Sequence, residues 1–530
     1  MERWNGWGDE TVTMELPSQA LDLLRGLIGE GTPRKDHSLE DTLAAIPQSR
    51  LGEYRLISKD PRERLIHAHG QSLPDWIALR CGTLERYPDG VAHPTTLQDV
   101  KEILDYTQRE HLVVIPYGGG TSVVGHLTIP ESDRPVVSLS MKRLKRMITM
   151  EPESLLATFE AGVRGPDLEA QLAAKGYTFG HYPQSFEYSS LGGWIVTRSS
   201  GQQSLHYGSI DRLFVGGEVI TPRGILPMTD FPVSAAGPDL KQLVLGSEGR
   251  MGVLTKAMVK ITPIPEVDDV FGVFFPDWTE AFEGVRNLAA AELPLSMIRL
   301  SNPVETMTNL YLAGHEREIA LLKKYLSLRG IPENGCCMCL IGIIGSRRIA
   351  RAVKGEVNSI IGRHGAVSVG RSMGKGWKKN RFRTPYLRNT LWDAGYAVDT
   401  LETSVPWDRV EETMDEIERV IGKGLMPFDE NVHVFTHLSR IYATGSSIYT
   451  QFVFRLGETP EATVERWKIL KDAASRVIVK VGGTISHQHG VGIDHKPYLE
   501  AEKGSVGMGL LKEITTYLDP ERRMNPTKLI

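Results

Sequence analysis

The chain has 530 residues, a hydrophobic fraction of 41% and a charged fraction of 24%, which are typical of a globular protein with two or three domains. Its formal net charge of −4 and the lack of a basic tail exclude a protein that binds nucleic acid mainly through charge. Four cysteines in a chain of this length exclude a disulfide scaffold and favour a reducing compartment.

The N-terminal part of the chain carries no recognisable chemistry. Its first residues lack the basic and apolar regions of a signal peptide, and no window reaches the ~18 apolar residues that a membrane span needs, so we expect a cytoplasmic protein. Residues 1–70 are predicted to form a helical lead-in, in which Ser18 to Ile28 repeat apolar residues at helical spacing. The same periodicity predicts a helix from Leu97 to Gln108.

A glycine-rich loop follows the strand-like run from Leu112 to Ile115. The loop consists of Pro116, Tyr117, Gly118, Gly119, Gly120, Thr121 and Ser122. Three residues without side chains let successive backbone amides close around an anionic group such as a phosphate, and the two hydroxyls add donors at the same place. The spacing matches neither a P-loop nor a dinucleotide-binding Rossmann turn. The loop therefore predicts a phosphate cradle, with an ordinary turn as the alternative.

Two further loops, residues 181–201 and 246–254, also combine small residues with hydroxyls, and an alternating strand from Thr255 to Thr262 follows the second. Three such loops in succession suit one extended ligand with a pyrophosphate in its middle. This arrangement resembles the FAD-binding domain of the vanillyl-alcohol oxidase superfamily, and the resemblance implies FAD as the cofactor. The attachment should be non-covalent, because the first loop has no histidine where related oxidases tether the ring.

In addition to the first loop, the resemblance implies cofactor contacts by residues of the second and third loops. These are Gln184, Ser185, Phe186, Glu187, Tyr188, Ser189, Ser190, Thr197, Arg198, Ser199, Ser200, Glu248, Gly249, Arg250, Met251, Gly252, Val253 and Leu254.

The following block of the chain is predicted to alternate strands and helices. The strands include Val270 to Phe275 and Ile448 to Arg455, and the helices include Tyr386 to Trp392 and Arg409 to Ile421. Cys336, Cys337 and Cys339 lie in an apolar run that is typical of a buried strand, in which cysteine acts as a small hydrophobic residue.

The resemblance also implies the domain organisation. The fold class is α+β, with a two-part FAD-binding domain of the vanillyl-alcohol oxidase type and an inserted α/β cap domain. The expected segments are a lead-in (residues 1–70), the FAD-binding domain (71–265), the cap or substrate domain (266–478) and a C-terminal segment that completes the FAD domain and the active site (479–530).

Histidine and tyrosine residues near the C-terminus are candidates for acid/base chemistry. His487 and His489 are two residues apart, so on an extended strand they would face the same side and act as acid/base groups, as metal ligands or as a hydrogen-bonded pair. Tyr449 lies in a predicted strand, where packing is the ordinary role of such a residue. His433 and His437 lack the carboxylate of an H-E-x-x-H motif, so we predict no metal site there.

A cluster of cations lies beside aromatic residues in the cap segment. It consists of Lys375, Lys378, Lys379, Arg381, Arg383 and Arg388, with Trp377, Phe382 and Tyr386 among them. Such a run is suited to an exposed loop, to a phosphate or carboxylate ligand, or to peripheral contact with an anionic membrane surface.

From Trp4 to its end, the chain resembles the alkyldihydroxyacetonephosphate synthase family, whose members exchange the acyl chain of acyl-dihydroxyacetone phosphate for a fatty alcohol without net redox. The string from Glu402 to Arg409, Glu-Thr-Ser-Val-Pro-Trp-Asp-Arg, is the most discriminating part. The resemblance implies a lipid or other small-molecule substrate, no nucleic acid and a homodimer.

The resemblance also assigns roles to single residues. Tyr449 matches the acid/base tyrosine that moves a proton at substrate C1, and Arg388 matches the arginine that contacts the substrate phosphate. His487 and His489 match the outer members of a histidine triplet, and His181 matches a histidine beside the flavin.

Three further positions bear on the resemblance, one as a match and two as departures. Arg299 matches a structurally sensitive arginine near the site. Two positions depart from the family pattern, because Gln488 replaces the middle histidine of the triplet and Gln184 replaces an aspartate. A glutamine forms hydrogen bonds but neither shuttles a proton nor carries a charge, so both changes weaken the acid/base inventory.

Two alternative functions remain open at the level of sequence. FAD-linked 2-hydroxy-acid dehydrogenases carry a metal-binding sequence whose two histidines would align with Tyr442 and Tyr449. Because a phenol is a poorer ligand than imidazole for such a metal, only a metal-free oxidase or dehydrogenase remains as an alternative. A flavoprotein that has lost catalysis and acts as a binding partner is the other alternative, motivated by Gln184 and Gln488.

Overall fold

Helices and strands alternate along most of the computed structural model, which describes residues 2–530. The helices are α1 (Ser18–Ile28), α2 (Leu39–Ala44), α3 (Pro61–Ile66), α4 (Leu73–Cys81), α5 (Leu97–Arg109), α6 (Gly165–Ala173), α7 (Leu191–Val196), α8 (Ser204–Tyr207), α9 (Ile210–Leu213), α10 (Lys241–Val244), α11 (Trp278–Ala290), α12 (Pro303–Ala313), α13 (Glu316–Leu328), α14 (Arg347–Gly362), α15 (Ser372–Asn380), α16 (Leu387–Asp393), α17 (Val410–Lys423), α18 (Pro460–Val481) and α19 (Leu499–Leu518).

The strands are β1 (Ile57–Ser58), β2 (Gly90–Ala92), β3 (Val113–Tyr117), β4 (Val136–Ser140), β5 (Met147–Glu151), β6 (Leu156–Glu160), β7 (Tyr177–Thr178), β8 (Phe214–Thr221), β9 (Gly224–Met228), β10 (Val253–Lys260), β11 (Thr262–Pro263), β12 (Val267–Phe275), β13 (Leu295–Ser301), β14 (Cys337–Gly345), β15 (Val367–Gly370), β16 (Tyr396–Pro406), β17 (His433–Tyr442) and β18 (Gly445–Arg455).

The first structural unit contains two main sheets. A four-stranded sheet has the order β1-β2-β4-β3, in which β4 runs parallel to β2 and β3, and a five-stranded antiparallel sheet has the order β5-β6-β10-β8-β9. The apolar sequence of β3 suits a strand with both faces buried, as expected in a parallel sheet. The glycine-rich loop leaves the end of β3.

The second structural unit is built on a seven-stranded sheet of order β15-β12-β14-β13-β17-β18-β16. One face of this sheet packs on α11, α14, α17 and α18 through an apolar core. Along β18, Ile448 and Phe452 belong to that core, whereas Tyr449 and Gln451 point to the opposite face, because side chains alternate along a strand. The opposite face is turned toward the first unit.

The C-terminal segment returns to the first unit. Beside β3, the Val114 amide donates to the Arg523 carbonyl (2.9 Å), and the Asn525 amide donates to the Val114 carbonyl (2.8 Å). The lead-in is also part of the structure rather than separate from it, because β1 pairs with β2, and Trp7 exchanges hydrogen bonds with the Asn389 side chain. The predicted helical lead-in therefore also contains a short strand that joins the first sheet.

Several predicted elements are confirmed. Helix α1 has the predicted bounds, α5 extends the prediction by one residue, and β14 is the buried strand predicted from its cysteines. All four cysteines are free thiols, and burial raises the pKa of the Cys337 and Cys339 thiols. Among residues 2–530, no helix is both long and apolar enough to cross a membrane.

Two local predictions were wrong. Strand β3 continues through Pro116 and Tyr117, so the glycine-rich loop begins only at Gly118. His487 and His489 lie in an irregular loop and not on a strand. This loop takes its shape from side-chain contacts, which the local sequence pattern does not reveal.

Candidate active site

A cavity of about 1040 Å³ lies between the two units, where the loops of the first unit face the open side of the seven-stranded sheet. Arg388, Tyr449 and His489 line it together with residues of all three predicted cofactor loops. These loop residues are Pro116, Tyr117, Gly118, Gly119, Gly120, Thr121, Ser122, Gln184, Ser185, Ser189, Ser190, Thr197, Ser199, Ser200, Glu248, Gly249, Gly252, Val253 and Leu254.

The glycines of the first loop pack it against the second loop. A β-carbon on Gly119 would lie 1.9 Å from the Tyr188 carbonyl oxygen, and one on Gly118 would lie 2.4 Å from Ser190 Oγ. Gly120 has a φ of 72°, a left-handed conformation that favours glycine. Glycine is therefore needed here for the contact between loops as well as for access to the backbone amides.

The cavity wall carries polar groups that the protein leaves without partners. Within residues 2–530, the backbone amides of residues 118–121 donate to no protein acceptor. Ser200 Oγ and Gln202 Oε1 are buried and, within the same residues, also lack a protein partner. Buried polar groups are normally hydrogen-bonded, so these atoms mark where a large polar ligand binds. FAD fits this set, with residues 118–121 suited to its pyrophosphate.

The remaining predicted cofactor contacts lie outside the cavity: Phe186, Glu187, Tyr188, Arg198, Arg250 and Met251. Four of them are held elsewhere by contacts within the protein, and two are exposed. Phe186 stacks on Phe382 (4.8 Å between ring centroids), Tyr188 shares a hydrogen bond with the Tyr386 hydroxyl (2.8 Å), and Arg250 donates to the Met524 carbonyl. Met251 is buried in the protein, whereas Glu187 and Arg198 are exposed.

Glu248 lines the cavity, but its carboxylate binds the histidine loop. The amides of Val491 and Gly492 donate to its two oxygens, the latter at 2.9 Å, and His126 Nε2 lies 3.1 Å away. Asn525 donates to the Glu248 backbone carbonyl (2.7 Å). Glu248 therefore connects the third cofactor loop to the segment that carries His487 and His489.

His181 lies behind the cavity wall and not in it. It is fully buried, and its Nε2 shares a 2.8 Å hydrogen bond with Ser199 Oγ, which does line the cavity. Burial lowers the pKa of His181 to about 3, so the imidazole is neutral near pH 7. This geometry suits a residue that orients Ser199.

Tyr449 is held on the cavity face of the sheet between two cross-strand neighbours. His437 on β17 and Glu402 on β16 are its register partners. The imidazole of His437 stacks on the phenol with ring centroids 4.8 Å apart. Burial raises the pKa of Tyr449 to about 12, so the phenol is protonated at neutral pH.

His489 complements the protonated phenol. Its ring meets that of Tyr449 edge to face, with centroids 6.0 Å apart. Burial lowers the pKa of His489 to about 4, so the imidazole is a neutral proton acceptor at pH 7. The cavity therefore contains a protonated acid and a neutral base side by side.

Arg440 is a site residue that no sequence motif indicated. A bulge between Ser439 and Ile441 places it at φ 47°, and its guanidinium contacts Glu402 (3.2 Å) and the Ser200 carbonyl (3.1 Å). Arg440 thus links the second unit to the second cofactor loop. A bulge in a strand next to an active site re-aims a side chain, and only the strand register reveals it.

Glu402 is the first residue of the Glu402–Arg409 sequence that distinguishes the family, but no role was predicted for it from the sequence. Burial opposes its ionisation, yet Arg440 and His487 hold the pKa of this carboxyl low, at about 2. His487 Nδ1 lies 3.0 Å from Glu402 Oε1. His487 itself does not line the cavity.

Arg299 belongs to a second buried cluster on the same face of the sheet. Glu305 Oε1 accepts from Arg299 Nη2 (2.9 Å), His437 Nδ1 (2.8 Å) and Gln451 Nε2 (3.2 Å). The cluster fixes the ring that stacks on Tyr449. His433 instead shares a hydrogen bond with Thr308 Oγ1 (3.0 Å), and within residues 2–530 no group of three or more acidic, histidine or cysteine residues forms a candidate metal site.

Arg388 is the cation of the predicted basic run that combines burial with a free donor. Its Nη1 donates to the Gln71 carbonyl (2.8 Å), and its guanidinium lies 4.3 Å from the centroid of the Trp76 ring. Burial lowers the pKa of Arg388 to about 10, so it remains charged at neutral pH. Lys378 is instead paired with Asp268.

The two departures from the family pattern lie at the cavity wall. Gln184 Oε1 accepts from Gln202 Nε2 (3.0 Å), and the Gln184 amide donates to the Arg381 carbonyl. Gln488 lines the cavity between His487 and His489 in the chain. The Gln184 side chain forms hydrogen bonds in place of a charge, while Tyr449 and His489 keep a protonated phenol and a neutral imidazole in the cavity.

An apolar part of the cavity extends away from these polar groups. Helix α1 contributes Ala20, Leu23, Leu24 and Leu27 to its wall, Leu16 precedes that helix, and α12 and α13 contribute Leu310, Leu312, Ile319 and Leu322. Leu27 is partly exposed, so this arm approaches the protein surface at α1. An arm of this composition suits a hydrocarbon chain.

Comparisons with known proteins agree with this geometry. Residues 264–529 match the family described as FAD linked oxidases, C-terminal domain, and residues 88–227 match the family described as FAD binding domain. The chain is 29% identical to the alkyldihydroxyacetonephosphate synthase of Dictyostelium discoideum, over 100% of this chain and 93% of that protein. It is 30% identical to the synthase of Caenorhabditis elegans, over 93% of this chain and 83% of that protein. A solved structure of an alkyldihydroxyacetonephosphate synthase has a TM-score of 0.85 at 26% identity and covers 100% of this chain and 99% of that chain.

Proposed function

Because the chain belongs to the alkyldihydroxyacetonephosphate synthase family of FAD-linked enzymes, we propose that it exchanges the acyl group of acyl-dihydroxyacetone phosphate for a fatty alcohol. The observation that carries this proposal is one cavity that joins three cofactor loops, a buried arginine with a free donor, an acid/base pair and an apolar arm. The fold is the expected α+β arrangement, and FAD is the cofactor.

Each part of the cavity has a task in this reaction. Arg388 binds the phosphate of the substrate, since a buried guanidinium with an unpaired Nη2 matches a phosphate oxygen. Bound FAD supplies an electron-accepting ring that permits substitution at substrate C1 without net redox. Tyr449 and His489 hold and move the proton at C1, and the apolar arm holds the acyl or alkyl chain.

Replacing Arg388 by lysine should raise the KM for the acyl substrate at least about tenfold, with little change in FAD content. Lysine lacks the planar fork and does not reproduce the stacking on Trp76. Steady-state kinetics with a titrated substrate measure the effect. Arg383→Lys is the matched control, because Arg383 is exposed and belongs to the same basic run; an equal effect in both variants would contradict the assignment.

Replacing Ala20 by tryptophan should shorten the chain that the enzyme accepts. Ala20 is buried on α1 and lines the apolar arm, so a large ring there fills space that a long chain needs. We expect kcat/KM to fall at least about tenfold for a sixteen-carbon acyl substrate and to change little for an eight-carbon one. Equal losses for both lengths would place the hydrocarbon chain elsewhere.

The function itself is tested by mixing FAD-loaded protein anaerobically with palmitoyl-dihydroxyacetone phosphate and hexadecanol, and separately with D-lactate and related hydroxy acids. The proposal predicts release of palmitate and formation of the alkyl product, with no lasting bleaching of the flavin by hydroxy acids. Bleaching by a hydroxy acid without release of palmitate would identify a dehydrogenase instead.

A further inference from the structure

His487 connects the interior of the active site to the protein surface. Its Nδ1 lies 3.0 Å from Glu402 Oε1, and its Nε2 shares a 2.7 Å hydrogen bond with the Tyr442 hydroxyl. Tyr442 is 37% exposed, whereas the side chain of Glu402 is 1% exposed. The three residues therefore form a line of contacts from a buried carboxylate to a phenol that reaches solvent. The outer contact is a hydrogen bond and the inner one is an ion-pair contact, because within residues 2–530 His487 Nδ1 forms no hydrogen bond.

The inner end of this line lies beside the acid/base pair. Glu402 is the register partner of Tyr449, so the two side chains are neighbours on one face of the sheet. Within residues 2–530, Glu402 Oε2 is buried and has no hydrogen-bond partner. Glu402 does not line the cavity, but a buried lone pair beside the side chain of Tyr449 is suited to accept a proton from it, directly or through a water molecule.

The proposed reaction requires a route by which a proton leaves the active site. The C1–O bond of the ester breaks, and the acyl group leaves as a carboxylate with the electron pair of that bond. The alcohol oxygen forms the new C1–O bond and loses its proton. Ester and alcohol thus give ether, carboxylate and one proton, because a fatty acid is ionised at neutral pH. One proton must leave the buried site in every turnover.

We propose that Glu402, His487 and Tyr442 form a relay that carries this proton from the active site to solvent. The inference rests on the proposed function. Glu402 Oε2 receives the proton near Tyr449, and rotation of the carboxyl group then presents that proton to His487 Nδ1. The His487 imidazole takes it up at Nδ1 as it releases one from Nε2 to the Tyr442 oxygen, and the Tyr442 hydroxyl gives its own proton to water.

The charged groups around the relay favour the ionised form of Glu402, so the carboxylate releases a proton that it receives. Arg440 from β17 contacts Glu402, His489 lies near the same carboxylate, and Asp211 and Arg212 of the first unit lie near Tyr442. Because Arg440 and His487 favour the ionised carboxylate, Glu402 holds the proton only in passing and does not trap it.

Two substitutions of Tyr442 test the relay, with purified FAD-loaded enzyme and the exchange assay. Tyr442→Phe removes the hydroxyl and should lower kcat about tenfold with KM unchanged, and the solvent deuterium isotope effect on kcat should rise as proton export becomes rate-limiting. Tyr442→His keeps a group that carries protons and should restore most of the rate. Small buffers such as imidazole should accelerate Tyr442→Phe but not the wild type.

Controls separate the relay from a structural effect. Tyr517→Phe, on an exposed tyrosine of α19, should match the wild type in every readout. A Tyr442→Phe enzyme with wild-type kcat and isotope effect, or Phe and His variants that are equally slow, would overturn the relay while leaving the exchange reaction intact. A wild-type enzyme that forms no alkyl product would overturn the proposed function, and the relay with it.

Discussion

Tyr449→Phe should lower the rate of exchange by roughly a thousandfold, which is within the range contributed by a positioned acid/base group. The phenol is the protonated acid of the cavity, since burial raises its pKa to about 12, and phenylalanine removes only that hydroxyl. The stacking on His437 and the strand pairing should persist. The loss should therefore appear in kcat, with FAD content and the melting temperature unchanged.

The measurement is a single-turnover assay of palmitate release by FAD-loaded protein. Tyr311→Phe is the matched control, because Tyr311 lines the same cavity on α12 and takes no part in the acid/base pair. We expect the control to stay within about twofold of the wild type. A Tyr449→Phe enzyme that releases palmitate at the wild-type rate would remove Tyr449 from the chemistry.

Gly119→Ala should yield a protein without bound FAD. The added methyl group would lie 1.9 Å from the Tyr188 carbonyl oxygen, a distance that real side chains do not tolerate, so the first two cofactor loops must separate. Separation of the loops moves the amides of residues 118–121, which we assign to the pyrophosphate. We expect FAD affinity to fall at least about a hundredfold, which corresponds to about 2.7 kcal/mol.

The flavin absorbance per protein and a titration of the apoprotein with FAD measure this loss. Gly52→Ala is the control, because a β-carbon on Gly52 meets no atom within 4 Å. The control should bind FAD like the wild type and keep its melting temperature. A fully loaded, yellow Gly119→Ala protein would show that the contact between the loops is not needed for the cofactor.

The sequence predicted the position of the cofactor loops because their chemistry is local. Glycines and hydroxyls after a strand are visible without a fold, and Gly118 to Ser122 do line the cavity. Which residues of a loop face the ligand was less predictable. Phe186 and Met251 pack into the protein, because their neighbours in space come from distant parts of the chain.

The acid/base centre could not be predicted without knowledge of the fold. Tyr449, Glu402 and His437 meet only through the pairing of β16, β17 and β18, which the sequence does not specify residue by residue. Arg440 enters the site through a bulge, and no motif marks it.

For two residues, the contacts in the structure differ from the role that the resemblance implied. Glu248 was expected at the cofactor, and its carboxylate binds the amides of the histidine loop. His487 was expected as an acid/base member of a histidine triplet, and it contacts Glu402 through one nitrogen and Tyr442 through the other. Aligned motifs locate such residues in the chain, whereas hydrogen bonds determine what each one does.

The most direct test of the exchange reaction uses hexadecanol labelled with ¹⁸O. FAD-loaded enzyme is incubated with the labelled alcohol and palmitoyl-dihydroxyacetone phosphate, and both products are analysed by mass spectrometry. Exchange at C1 predicts that the ether carries the label and that palmitate leaves unlabelled with both of its original ester oxygens. Labelled palmitoyl ester, or an unlabelled dihydroxyacetone phosphate product, would show that the acyl carbon reacts instead and would contradict the proposed function.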